Sequence, residues 1–225
     1  MKVPGGFHKK RVFYSIFVPP LAIAPIGALL FLFDVDVAII KDAWYLSIFI
    51  SCIIITLRDK VPLSEIGLSK RGLGLSLLLA SAWELVTFLL LGLIPFFAVT
   101  GTLPSLVPFN ETMISSALHF MLVGVAEETW MRGLLLKRLR EWRPEGSAAV
   151  LWSSTIFVLL HVPAASPVVI QDVSLVPLLA LSWTVLFVWS AGLALITLKT
   201  GNLVGPIVIH GVDDFITKVL YPLQI

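Results

Sequence analysis

The stretch VAEETWMRGLLLKRLREW, residues 125–142, decides how the chain is read. It sets two adjacent glutamates, Glu127 and Glu128, and an arginine, Arg132, at the end of an apolar run that begins near residue 112. Lys137, Arg138 and Arg140 then close it off. Working outward, the 225-residue chain as a whole is 58% hydrophobic and only 13% charged, with a mean hydropathy of +0.98. Ordinary globular domains carry roughly 25% charged residues. A chain this apolar cannot cover its own surface with polar groups, so the bilayer is its natural solvent. Seven Trp and 14 Phe suit membrane interfaces and lipid-facing surfaces. The single cysteine, Cys52, lies in an apolar run and reads as a packing residue.

Apolar stretches of membrane-spanning length fall at 12–33, 43–57, 72–99, 112–136, 147–166, 174–198 and 203–221. They predict an all-α, polytopic transmembrane helical bundle of seven spans, built as one membrane-embedded domain over residues 1–225. A split of the region 168–198 would make eight. The first stretch is too long for a cleaved leader and reads as a retained signal anchor. Lys and Arg distribute as a topology signal. Thirteen of the 16 lie before the first stretch or between the second and third, fourth and fifth, and sixth and seventh. The opposite loops hold Lys41 beside Asp34, Asp36 and Asp42. By the positive-inside rule the N-terminus is cytoplasmic. The net charge of +2 gives no reason to expect a nucleic-acid partner.

Function then reduces to the ionisable groups inside these stretches: Glu84, His119, Glu127, Glu128, Arg132, His161, His210, Asp213 and Asp214. A charge at membrane depth costs at least about 2.5–3.5 kcal/mol, so such groups usually face the bundle interior and act there. Glu128 and Arg132, four apart, share a helix face and pair. Glu127 is turned about 100° away, free of that pair, as suits a general base. His210 has Asp214 at i+4 to orient it, with Asp213 at i+3 as a competing partner. Phe157 precedes His161 by four and walls its side of a pocket. Each feature has a plain reading as well: glutamates near a helix end snorkel to a rim, and a lone histidine or a His–Asp pair can be a structural contact. Acids and bases from three separate stretches together favour chemistry. Glu84 and His119 lack such partners and read as structural polar contacts.

No H-E-x-x-H zinc motif, no serine elbow and no pair of aspartates on different helices is present. A carboxylate and two histidines from three helices remain, a set able to activate water. In sequence order, EETWMR (127–132) fits E-E-x-x-x-R, FVLLH (157–161) fits F-x-x-x-H, and HGVDD (210–214) fits H-x-x-x-N/D. Together they resemble the three signature motifs of the CPBP family, the CAAX-protease and bacteriocin-processing intramembrane proteases, also called Abi. The resemblance covers about residues 112 to 221, and the SEIGLSKRGL loop is worded like the family's.

The resemblance implies an intramembrane endopeptidase in a prokaryotic plasma membrane, with its site open to the cytoplasmic side. Its substrate would be a hydrophobic or prenylated protein, cut in a lipidated CAAX-type segment or a leader peptide. By position, Glu127 would activate water with help from His161. His210 and Asp214 would stabilise the oxyanion, or Asp214 would orient His210. Glu128, Arg132, Phe157 and Asp213 would support the site or bind substrate. The family has been described both as metal-dependent and as metal-independent. Glu127, His161 and His210 are the possible Zn²⁺ set, but with all three bound to the metal no separate base is left, so no cofactor is favoured. Two alternatives stand beside the protease: a non-proteolytic membrane scaffold or regulator that binds partner proteins, and a proton-coupled transporter. Oligomeric state is left open.

Overall fold

The computed structural model describes residues 5–21, 35–103, 107–108, 110–171 and 176–220. Among these the elements are all helical. They are α1 (Gly5–Leu21), α2 (Val37–Arg58), a 3-10 turn (Leu63–Ile66), α3 (Leu73–Thr87), α4 (Ile94–Thr100), α5 (Thr112–Glu128), α6 (Leu136–Trp142), α7 (Gly146–Gln171), α8 (Val176–Thr200) and α9 (Val204–Phe215). Short π-helical segments join α3 to α4 (Phe88–Leu93) and α5 to α6 (Thr129–Leu135), and another follows α9 (Ile216–Leu220). The expected stretches therefore correspond to helical runs. The second half of the first, residues 22–33, lies outside the described residues.

Three helical runs are long and apolar enough to cross a membrane: Val37–Arg58, Leu73–Ala98 and Leu179–Thr200. Surface composition agrees. Leu78 and Leu118 stand 65% and 68% exposed, a costly arrangement in water and an ordinary one against lipid. The chain is an integral membrane protein.

One boundary differs from expectation in an informative way. The helix that carries the glutamates does not stop at residue 136 but continues to Trp142. Arg138, expected in a loop, is 2% exposed on α6 and bonds Asp59 at 2.5 Å and Glu141 at 2.9 Å. Ion pairing with the end of α2 holds these cations on the helix.

The positions of the helices follow from small residues at crossings. α9 packs along α5 and α3, α7 against α8, and α1 against α2 and α6. At the α5–α9 crossing, a Cβ on Gly124 would stand 2.6 Å from the Ile207 carbonyl oxygen and 2.9 Å from the Gly211 nitrogen. Only glycine lets the two backbones come this near.

The start of α9 is fixed by the loop before α3. Asn202 is fully buried. Its Nδ2 donates to the carbonyls of Ser69 (2.6 Å) and Arg71 (3.0 Å), while its Oδ1 accepts from Val204 N (2.9 Å). Leu203 N donates to the Gly67 carbonyl at 2.9 Å. Gly67 and Gly72 have φ of 88° and 71°, a region that side-chain-bearing residues rarely enter. The SEIGLSKRGL loop is thus a clamp that sets the register of α9.

Candidate active site

The α5–α9 crossing places Glu128 against His210. Glu128 is fully buried, and its Oε1 accepts from His210 Nδ1 at 2.7 Å and from Arg132 Nη1 at 2.8 Å. Arg132, one turn on in the π segment, is buried too. Its Nη2 donates to Ser190 Oγ of α8 at 3.0 Å. Its guanidinium carbon lies 4.4 Å from the Phe157 ring centroid, a cation–π contact that is strong when desolvated. Phe157 thus joins α7 to the cluster.

The opposite edge of His210 faces acids. Nε2 lies 3.8 Å from Glu127 Oε2 and 3.7 Å from Asp214 Oδ2. Both distances exceed a hydrogen bond and are of the size a water can bridge. Among the described residues Glu127 makes no hydrogen bond, and its one ionic contact is this long one to His210. Asp214 is taken up by Lys218, whose Nζ stands 2.6 Å from Oδ1. Trp189 covers the imidazole edge to face, with centroids 5.0 Å apart.

Several expectations need correcting at this resolution of contact. The nearest orienting partner of His210 is not Asp214 on its own helix but Glu128 across the crossing, because the glycines let α5 come within reach while Lys218 occupies Asp214. Asp213 does not compete for the imidazole. It turns toward α3, within hydrogen-bonding reach of Glu84. Glu84, expected as a structural polar contact with no partner at local spacing, accepts from Trp189 Nε1 at 2.9 Å and so belongs to the same network. Its link runs through tertiary contacts over a hundred residues away, which no local spacing could reveal. His119 bonds Asp42 at 2.5 Å and meets Tyr45 edge to face, centroids 5.9 Å apart. Tyr45 in turn lies within electrostatic reach of Glu127 and Asp214.

His161 is the outlying member. Its Nδ1 donates to the Phe157 carbonyl on its own helix at 2.8 Å. Among the described residues no hydrogen bond or ion pair joins it to Glu127 or His210. The Phe157 ring mediates, with centroids 4.6 Å from His161 and 6.1 Å from His210. α7 begins at Gly146, so His161 stands about 22 Å along it. Phe157, one turn earlier, is the residue level with Arg132. The possible zinc set fares accordingly. Glu127, His161 and His210 do not converge, and among the described residues no three His, Cys, Asp or Glu side chains are arranged to hold a metal ion.

Residues 108–216 match the family model described as Type II CAAX prenyl endopeptidase Rce1-like. The chain carries an Rce1-like domain. That domain supports a CPBP-family intramembrane protease, and the Rce1-like family indicates a CAAX-type protease acting on a prenylated or hydrophobic protein in a membrane. The matched segment holds the glutamate pair, Arg132, Phe157, His161, His210, Asp213 and Asp214, whereas Glu84 and Tyr45 precede it. Neither a curated protein nor a solved structure matches the chain.

Proposed function

We propose that the Rce1-like chain is an intramembrane endopeptidase that hydrolyses a peptide bond in a hydrophobic, prenylated CAAX-type or leader-peptide substrate through water activated by Glu127. One observation carries the reading. Among the described residues Glu127 makes no hydrogen bond, is not held by a cation as Asp214 is by Lys218, and faces His210 Nε2 across 3.8 Å. A water bridging the two from beside that gap gives its proton to the Glu127 carboxylate and attacks the scissile carbonyl, and Glu127 returns the proton to the amine that leaves as the C–N bond breaks. His210 stands beside the oxygen that gains charge, oriented by Glu128 behind it and by Asp214 at its edge. Arg132 keeps Glu128 in place, and Phe157 and Trp189 exclude bulk water. His161, with Nδ1 committed to the Phe157 carbonyl, offers Nε2 to substrate from the α7 side.

The proposed reaction needs no metal; the reading rests on the separation of His161 from the other two candidate ligands. The proposed topology is one domain of seven spans with a cytoplasmic N-terminus, in the plasma membrane of a prokaryote. It is supported by the 13 of 16 cations that fall on one side. From that side His210 lies about 9 Å along α9 and Ser190 about 15 Å from the end of α8, a depth open to a substrate entering from the cytoplasm.

The test is Glu127→Gln. Loss of a general base lowers rate by roughly 10²–10⁴-fold. Purified variant should lose activity on a prenylated CAAX peptide by that factor, and termini unique to cells with the native chain should vanish. Because Glu127 makes no hydrogen bond, the unfolding midpoint should stay put. A variant that still cleaves at the native rate would end this reading.

A further inference from the structure

A cavity centred away from the Glu127–His210 pair opens elsewhere in the bundle. It measures about 840 Å³ and lies where the 3-10 turn, α6 and the end of α8 meet. Ligand sites typically run from roughly 300 to 1,000 Å³. Five cations face it, against two carboxylates, Glu65 and Glu141. Two of the five are already neutralised: Arg132 by Glu128, and Lys137 by Glu65 at 2.7 Å. Glu141 in turn bonds Arg138. Arg71, Arg140 and Lys199 remain, and among the described residues no carboxylate pairs with any of them. Three unpaired cations around one space make a site for an anion.

A second observation says what kind of anion. α8 exposes Leu181 (59%), Val188 (40%) and Leu195 (55%) at seven-residue spacing, a single stripe along the helix. One turn after Leu195, on the same face, comes Lys199 at the cavity rim. An apolar track that climbs a membrane helix and ends at a basic cavity matches the two halves of a lipid. Helix-flanked basic pockets at the membrane surface are also where anionic headgroups bind.

We propose that this cavity is a binding site for the phosphodiester headgroup of an anionic diacyl phospholipid, whose acyl chain lies along the Leu181–Val188–Leu195 stripe. Arg71, Arg140 and Lys199 hold the phosphate, and Leu136 and Leu198 line the space beside it. The proposal is independent of the proteolytic reading, since none of the three cations belongs to the cluster around His210.

The experiment uses the full chain in vesicles of phosphatidylcholine with a minor share of phosphatidylglycerol, and native mass spectrometry to read the phosphatidylglycerol-bound fraction. A cation near a lipid headgroup is worth about fivefold in affinity, so R71Q/R140Q/K199Q should weaken phosphatidylglycerol retention by about 100-fold. Its thermal unfolding in phosphatidylcholine alone should match the native protein, which shows that it is folded. The control is K9Q/K10Q, which removes two exposed cations that do not line the cavity. It should leave retention unchanged. Equal loss per charge in both variants would overturn the proposal in favour of general surface attraction. Displacement of the lipid by inorganic phosphate, with the same thermal stabilisation by phosphate alone, would overturn it in favour of a soluble anion.

Discussion

Replacing Gly124 by alanine adds one methyl group at the tightest point of the bundle. That carbon would stand 2.6 Å from the Ile207 carbonyl oxygen and 2.9 Å from the Gly211 nitrogen. The first is about 0.8 Å short of the 3.4 Å at which ordinary contact begins, and the obstacle is backbone, which cannot swing aside like a side chain. α5 and α9 must therefore separate by most of that shortfall. Overpacking of this kind costs about 1–3 kcal/mol of stability. The larger effect falls on geometry. The Glu128–His210 hydrogen bond spans this same crossing at 2.7 Å, and a lengthening toward 3.5 Å breaks it. Misplacement of reacting groups by roughly 1 Å costs about 100-fold in rate. The expected result is loss of cleavage of a prenylated peptide by about two orders of magnitude, with a modest fall in the detergent-micelle unfolding midpoint. Gly74→Ala serves as control, because nothing lies within 4 Å of its added carbon. If Gly124→Ala cleaves as fast as Gly74→Ala, helix approach at this crossing does not set the site and the reasoning is wrong.

Three further perturbations separate the parts of the structure. Glu128→Ala strands the buried Arg132 and should cost about 3–5 kcal/mol in reversible unfolding, whereas the double variant Glu128→Ala/Arg132→Met should recover much of it; additive losses would refute a coupled pair. Asn202→Ala removes three hydrogen bonds, leaving the Ser69 carbonyl without a donor and the Arg71 carbonyl with only the long bond from Ser69 Oγ (3.5 Å), so stability to unfolding should fall by about 2–3 kcal/mol, and no change would show that the clamp does not hold α9. Prolonged treatment with a strong zinc chelator should leave cleavage of the prenylated peptide unchanged; inactivation reversed by added zinc would replace the metal-free proposal.

Much of the architecture was legible because lipid imposes simple rules on sequence. Apolar runs of spanning length predicted where helices lie, and each described helical run overlaps one of them. Ionisable residues within those runs named the groups that the structure gathers around His210. Local spacing was a sound guide wherever both partners shared one helix: Glu128 and Arg132, four apart, do pair at 2.8 Å. Spacing failed at His210 and Glu84, whose partners lie on other helices. Asp214 at i+4 looked like the natural partner of His210, yet the shorter bond runs to a carboxylate 82 positions away. What decided it was Gly124 and Gly211, residues with no chemistry of their own.

This gives a physical reason for the shape of the signature in this chain. A buried carboxylate that orients an imidazole must be charge-compensated, or its burial costs several kcal/mol. Arg132 supplies the compensation from the same helix, and Ser190 and the Phe157 ring complete its coordination from α8 and α7. E-E-x-x-x-R and the Phe of F-x-x-x-H are then one interlocked unit that fixes Glu128, and through it His210. Glu127, the neighbouring acid, is left without a hydrogen bond because Glu128 carries the structural load. Two glutamates are needed side by side because the two tasks conflict: Glu128, tied through Oε1 to Arg132 and His210 and fully buried, is shut away from water even at its unpartnered Oε2, and a carboxylate open to water cannot hold the histidine still.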